Sequence, residues 1–327
     1  MGQKSQEPKR AVILFNLGGP KSLHEVKPFL KSLFSDPAIL TIPQPFRYLL
    51  SHWIARRRTP EAQHIYKAMG GGSPLLQNTE AQACALSKEL GKGYKVFVCM
   101  RHTSPQAHEV IKKVIAYAPS EVILLPLYPQ YSTTTTGSAF KVWNKTTRGQ
   151  NWLTKTINHY PRDEGFIEAM TQLFLPIFDQ VTPFGKPRIL LTAHGLPEKL
   201  IKKGDPYQHH IEQTADALVG SIHSSLANTD LEYILCYQSR VGPLKWTSPY
   251  TENEVLKAAK LGRPIIMVPL SFVSEHSETL YELDRLYEVL ALDHGCPAYF
   301  RVPTVSCHPA FINGLASLIR KESDYAC

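Results

Sequence analysis

Residues 188–197, RILLTAHGLP, carry a largely apolar run that ends on a histidine, a glycine and a proline. A short apolar stretch bounded by turn residues reads as a strand buried on both faces. Working outward, the same pattern predicts strands at 11–17, 94–100, 121–128 and 152–157 on one side. On the other side it predicts strands at 231–237, 264–270 and 298–302. Helical patterns fill the gaps at 75–90, 104–117, 163–179, 206–226, 251–261 and 277–292, with a last one at 308–320. Apolar strands separated by helices form parallel sheets covered on both faces. Two sets of four therefore predict an α/β protein with two Rossmann-like, doubly wound domains and a cleft between them. The expected division is 9–160 and 161–307, with a helix at 308–321 packing back across the domains and flexible tails at 1–8 and 322–327.

The composition excludes other classes. The chain has 327 residues, 43% hydrophobic and 20% charged, which is enough to bury a core and too apolar for disorder. Its net charge of +8 is lopsided: residues 1–60 hold ten Lys and Arg against three Asp and Glu. No apolar run is long enough to cross a bilayer, and MGQKSQEPKR lacks the apolar core of a secretory signal. Six scattered cysteines with no CxxC pair give no disulfide, zinc or iron–sulfur framework, so a reducing, cytoplasmic location is expected. No nucleic-acid-binding motif accompanies the positive charge, and no nucleic-acid partner is expected.

In doubly wound folds ligands bind beyond the carboxyl ends of the strands. That rule selects Asn16–Pro20, Arg101–His102, Tyr128–Thr136, His194–Pro197, Gln238–Pro243 and Ser271–Glu278. The Gly18-Gly19 and Gly70–Gly72 runs read as tight backbone turns; neither is a dinucleotide or P-loop fingerprint. Four threonines, Thr133–Thr136, leave two readings open: a helix cap, or a polar pocket wall with Tyr131 as a ring platform. His194 at a strand end is placed to ligate a metal or accept a proton near neutrality. In SFVSEHSETLYELD (271–284), Glu278 and Glu282 fall on one helical face, with Glu275 one turn earlier. Such carboxylates are ordinary helix-dipole partners, or they ligate a cation and pass protons, with His276 adding a nitrogen.

These segments occur in an order that resembles the ferrochelatases. The matching motifs are NLGGP (16–20), RRTP with a downstream tyrosine (57–66), GGGSP (70–74) and YPQYSTTTTGS (128–138). They continue with AHGLP and GDPY (193–207), YQSRVGPLKW (237–246) and the 271–284 segment. The resemblance implies insertion of Fe²⁺ into protoporphyrin IX with release of two protons, the last step of haem synthesis. By the same resemblance His194 and Glu278 form the central catalytic and metal-binding pair, expected to face each other from opposite domains. Arg58, Tyr66, Ser73, Tyr131, Ser239 and Trp246 would contact the porphyrin, and Glu282, Glu275 and His276 would line a proton or metal path. A further acidic position of the family is Leu286 here, and His102-Thr103-Ser104 after Arg101 departs from the family's aromatic-containing pattern.

Some family members hold a [2Fe-2S] cluster. Cys296, Cys307 and Cys327 lack the close spacing for one, so no tightly bound cofactor is expected. Related readings of the same fold are a coproporphyrin III ferrochelatase or a cobalt chelatase; a reading of another class is a non-catalytic tetrapyrrole-binding protein. The resemblance also places a lip over the cleft at about 22–58. There an apolar surface flanked by Arg47 and Arg56–Arg58 suits a carboxylate-bearing ring, weak contact with an anionic membrane, and transient contact with the preceding haem-pathway enzyme.

Overall fold

The computed structural model describes residues 8–226 and 230–324. The first half runs β1 (Arg10–Asn16), α1 (Val26–Phe34), α2 (Gln44–Ala68), α3 (Leu75–Leu90), β2 (Tyr94–Met100), α4 (Ala107–Tyr117), β3 (Glu121–Pro126), α5 (Thr136–Thr146) and β4 (Leu153–Thr156). Helix α6 (Glu164–Val181) leads into β5 (Arg188–His194), α7 (Glu198–Ile201), α8 (Tyr207–Ser225), β6 (Glu232–Gln238), α9 (Thr251–Lys260) and β7 (Ile265–Pro269). A π-helical segment, Glu278–Leu286, continues into α10 (Tyr287–Asp293), followed by β8 (Tyr299–Arg301) and α11 (Pro309–Asp324).

Each half carries a four-stranded parallel sheet, in the orders β2-β1-β3-β4 and β6-β5-β7-β8. The two orders are the same pattern repeated, although the two halves show no obvious repeat in sequence. The strands explain themselves by alternation. In β1, Ala11, Ile13 and Phe15 face α4 and α5, where Phe15 meets Trp143 edge-on at 5.8 Å. Val12 and Leu14 point the other way, into a central core shared with Ile189 and Leu191 of β5, Ile266 of β7, Phe166 and Phe174 of α6, and Phe311 of α11. Leu190, Ile265 and Met267 form a third core with α9 and the π-helical segment. The central apolar core therefore joins the two sheets.

Helix α11 packs on α6, α3 and β4, and extends through Asp324, past the expected end at 321. Most of the two tails expected at 1–8 and 322–327, Cys327 included, lies outside the described residues.

The segment expected to form a lip is helical, a pattern its sequence conceals. Helices α1 and α2 pack on each other through Val26, Phe29, Leu30, Ala55 and Tyr66. The outward face of α2 leaves Phe46 67%, Leu49 67% and Trp53 58% exposed. Pro28 in the first turn of α1 and Pro60 inside α2 hide the pattern, because a proline normally argues against a helix interior. Where α1 ends, buried Asp36 accepts a 2.6 Å bond from Arg101 and a further bond from Ser138, tying the lip to the end of β2 and to α5. Arg101 thus anchors the end of α1. His102 packs beside it as a neutral imidazole, since burial and the Arg101 charge hold its pKa at about 3.

Candidate active site

In a sheet of order β6-β5-β7-β8 the chain reverses direction across β5, and the crevice opens between β5 and β7. His194 is the last residue of β5, and Glu278 opens the π-helical segment that follows β7. Adjacent parallel strands thus deliver both side chains to one crevice, and His194 Nδ1 lies 2.7 Å from Glu278 Oε2. The expectation that the pair meets from opposite domains is wrong. Both belong to the second sheet, because the repeated topology makes β5 and β7 neighbours.

Local backbone features hold the pair in place. The amide of His194 donates to Ser271 Oγ at 3.1 Å, and Gly195 donates to the Gln238 carbonyl at 2.9 Å. A side chain at Gly195 would come within 3.1 Å of that carbonyl and 3.3 Å of the Trp246 ring, so glycine spares a tight contact where β5 turns close to β6. Trp246 is nearly buried. Its ring lies edge-on to His194 at 6.3 Å, and its indole N–H donates to the Val241 carbonyl at 3.1 Å.

Ser239 links the two glutamates. Its hydroxyl lies 3.0 Å from Glu278 Oε2 and 2.6 Å from Glu282 Oε2, and its amide donates to Glu282 Oε1 at 3.0 Å. To do this Ser239 adopts φ +62°, a left-handed conformation that non-glycine residues avoid. Tyr287 completes the line by donating its hydroxyl to Glu282 Oε1 at 3.0 Å. The result is a continuous polar chain, His194–Glu278–Ser239–Glu282–Tyr287.

Electrostatics separate its members. Burial opposes charge on Glu278, but the His194 cation and hydrogen bond, with His276 and Ser239, hold its pKa down at about 2. Burial opposes charge on His194 too, yet the Glu278 charge and hydrogen bond win and raise its pKa above the ordinary imidazole value. Glu282 goes the other way: burial and the neighbouring Glu278 charge raise it. Two carboxylates one turn apart therefore differ in proton affinity, the usual mark of separate acid–base roles.

The remaining expected residues divide. Tyr66, from α2 of the first half, reaches Ser277 and Glu278; burial pushes its phenol up to about 12, the Ser277 hydrogen bond opposes this, and the Glu278 charge adds to it. His276 Nε2 stands 3.9 Å from Glu278 Oε1, and burial keeps the ring below its ordinary pKa. Glu275 turns away from the pair to Arg301 and the Thr304 amide, both at 2.9 Å. Ser73 lies in a turn packed on the first glycine loop: its amide donates to the Pro20 carbonyl at 2.7 Å, and a side chain at Gly72 would strike the Lys21 carbonyl at 2.4 Å. Arg58 lies over the Phe34 ring at 5.8 Å on the lip, and the Tyr131 amide donates to His210 Nδ1 at 3.1 Å. Among the described residues no hydrogen bond joins Arg58, Ser73 or Tyr131 to the pair.

Thr135 stands at the N-cap of α5 without a side-chain cap bond, while the residues just before it turn to another partner. The hydroxyl of Ser132 and the amide and hydroxyl of Thr133 all donate to Asp205 Oδ2, at 3.0, 2.8 and 2.6 Å. They clamp the first half onto the buried Asp205 of the second. Tyr287 escapes the sequence reading, and Ser271 is marked there only as the start of a strand-end segment, without its role at the His194 amide. Nothing in their spacing points to these roles, and only the folded chain brings them to Glu282 and His194.

A sequence model of the Ferrochelatase family matches residues 9–323. A ferrochelatase of Wolbachia sp. subsp. Drosophila simulans (strain wRi) is 48% identical over 316 residues, covering 95% of this chain and 98% of its own. A ferrochelatase of Pelagibacter ubique is 46% identical over 324 residues, covering 97% and 92%. Among solved structures, SirB from Bacillus subtilis with Fe³⁺ shares the fold at TM-score 0.58 and 13% identity, covering 97% of this chain and 98% of its own. CbiX, the terminal enzyme for siroheme biosynthesis in denitrifying bacteria, gives TM-score 0.51 at 13% identity, covering 96% and 98%. With its repeated four-stranded sheets, its His194–Glu278 crevice and near-complete relatives of this identity, the chain belongs to the ferrochelatase family.

Proposed function

We propose that this protein inserts Fe²⁺ into protoporphyrin IX, releasing two protons and giving protohaem. The observation that carries the reading is the His194–Glu278 contact, extended through Ser239 to a second carboxylate of higher proton affinity. Imidazole and carboxylate are both acceptable ligands for Fe²⁺, which is a substrate here. Among the described residues no group of three or more His, Cys, Asp or Glu side chains is gathered to hold a metal. Two protein donors suit an ion that must be passed on to four pyrrole nitrogens.

The charges suggest a division of labour. His194, made more basic by Glu278, accepts a pyrrole proton once its own has left. Glu278, a weak base with a strongly held negative charge, steadies the imidazolium and receives the incoming cation. Glu282, with its raised proton affinity, carries protons away through Ser239. Trp246, Tyr66 and Tyr131 supply ring surfaces, and Arg58 supplies a guanidinium for the propionates. No tightly bound cofactor and no [2Fe-2S] cluster enters this reading.

The exposed face of α2 gives the lip its second use. Phe46, Tyr48, Leu49 and Trp53 stand exposed on a helix that also carries Arg47 and Arg56–Arg57, a pattern suited to loose contact with anionic lipid or with the enzyme that supplies the porphyrin. No described helix is long and apolar enough to cross a membrane. We place the protein in the cytoplasm, peripherally attached. Flotation with anionic vesicles at low salt tests this: Trp53→Ala with Leu49→Ala should abolish co-flotation, and a wild type that stays behind contradicts it.

Offering Fe²⁺ and Co²⁺ with protoporphyrin IX, coproporphyrin III and sirohydrochlorin tests the substrate. Fe²⁺ with protoporphyrin IX is expected to turn over fastest. Turnover confined to coproporphyrin III or sirohydrochlorin would reassign the substrate.

A further inference from the structure

The segment that carries Glu278 is fastened from the other half of the molecule. Between β7 and the π-helical turn, three backbone carbonyls accept hydrogen bonds from side chains of the first half. Gln130 donates to the Leu270 carbonyl at 3.1 Å, Gln82 to the Val273 carbonyl at 3.0 Å, and Asn78 to the Glu275 carbonyl at 3.0 Å. Gln82 is completely buried and has the densest connections. Its amide nitrogen also donates to the Ser306 carbonyl at 3.0 Å, and its oxygen accepts from the Ser274 hydroxyl at 2.8 Å. Ser306 in turn sits at φ +42° and donates its amide to the same Val273 carbonyl at 3.0 Å. One carboxamide on α3 therefore joins the strand-to-helix connection, the loop after β8 and the first half of the molecule.

We infer that Gln82, with Asn78 one turn earlier on α3, is a positioning residue for the metal-handling pair, setting where Glu278 stands relative to His194. Both side chains act on backbone within five residues of Glu278, and neither is hydrogen-bonded to the pair itself. His194 is held chiefly by its place in β5, between β6 and β7, and only its amide bond to Ser271 reaches the fastened segment. Glu278 thus depends on the contact between the two halves more than His194 does, so loosening that contact shifts Glu278 against a steadier His194. A buried amide with three partners does this better than an apolar side chain, because each unmade bond would leave a buried carbonyl or hydroxyl without a partner.

The inference rests on His194 and Glu278 being the metal-handling pair, and the test separates the two ideas. Gln82→Met keeps the volume and removes the amide; Asn78→Ala removes a single bond at a less buried position and guards against failure of the first variant to fold. Two readouts are taken on each: affinity for Co²⁺ from its visible absorption, and porphyrin binding from fluorescence quenching. Where wild type inserts Fe²⁺, kcat is a third. Gln82→Met is expected to weaken Co²⁺ binding and to lower kcat by about 10- to 100-fold, as a small misplacement of a reacting group does. Porphyrin affinity should stay within about twofold, since the bound ring is gripped elsewhere. Asn78→Ala should shift the same two quantities by less. A wild type without Fe²⁺ insertion whose Co²⁺ affinity still falls in Gln82→Met would sink the proposed reaction and leave the positioning role standing. Lower thermal stability with Co²⁺ affinity and kcat unchanged would overturn the positioning role, as would equal losses in porphyrin and metal binding.

Discussion

His194 Nδ1 and Glu278 Oε2 lie 2.7 Å apart at the carboxyl end of one sheet, each raising the other's tendency to carry charge. A neutral amide in place of the carboxylate would leave burial as the main influence on His194. Glu278→Gln is therefore expected to move the imidazole pKa from above its ordinary value to below it. Titration of the ring by NMR checks this, and an unchanged midpoint would show that the pair is not electrostatically coupled.

The same coupling sets the pH dependence. His194 must be neutral to accept a pyrrole proton, and its pKa is raised, so kcat/KM should fall on the acid side with a midpoint above about 6.5. Stability follows its own rule. Glu278, depressed to about 2, contributes above its unfolded pKa and loses that contribution as the pH falls towards 2. His194, raised, contributes below its unfolded pKa and loses that as the pH rises through its folded value. The stability gap between wild type and Glu278→Gln should peak between about pH 4.5 and 6.5, where both contributions operate. Urea unfolding across pH 3–9 gives the profile.

Ser239 separates strain from chemistry. Its left-handed backbone costs roughly 1 kcal/mol, which glycine would avoid and alanine would not. Ser239→Gly should thus be more stable than Ser239→Ala by about that amount. Both lose the hydroxyl between Glu278 and Glu282, and both should lose about tenfold or more in kcat. Retained activity in either variant would remove Ser239 from the proton route.

Much of this was legible before any coordinates. The strands 188–194 and 10–16 are apolar, β-branched and bounded by glycine turns, and a buried parallel strand has little other way to look. His194 and the acidic run 275–282 stood out because charged groups rarely follow such strands directly. What remained hidden depends on partners far apart in sequence. Glu275 reads as a member of a carboxylate line until Arg301 claims it, and Ser132 and Thr133 carry no sign of their distant partner Asp205. The expected division 161–307 already holds both β5 and β7, yet strand order is invisible along a chain, so nothing in the sequence made them neighbours that bring His194 and Glu278 together from one sheet. Helix α2 escaped because its apolar residues lie on a face the protein does not bury, and pattern reading assumes that apolar faces turn inward.

The Asp205 clamp should be structural. Asp205→Ala removes the shared acceptor of Ser132 and Thr133 and should cost about 2–3 kcal/mol, the range for buried hydrogen bonds to a charged group. Urea unfolding at neutral pH measures it, and a loss below about 0.5 kcal/mol would mean the halves are held by the shared core and the Gln82, Asn78 and Gln130 bonds without help from Asp205.

The most direct test follows protoporphyrin IX fluorescence anaerobically after adding Fe²⁺, for wild type and for His194→Ala combined with Glu278→Gln. Wild type should extinguish the fluorescence catalytically, while the double variant still binds the ring and inserts metal at least 100-fold more slowly. Turnover by the double variant at the wild-type rate would contradict the account, as would a wild type that binds the ring and never inserts the metal.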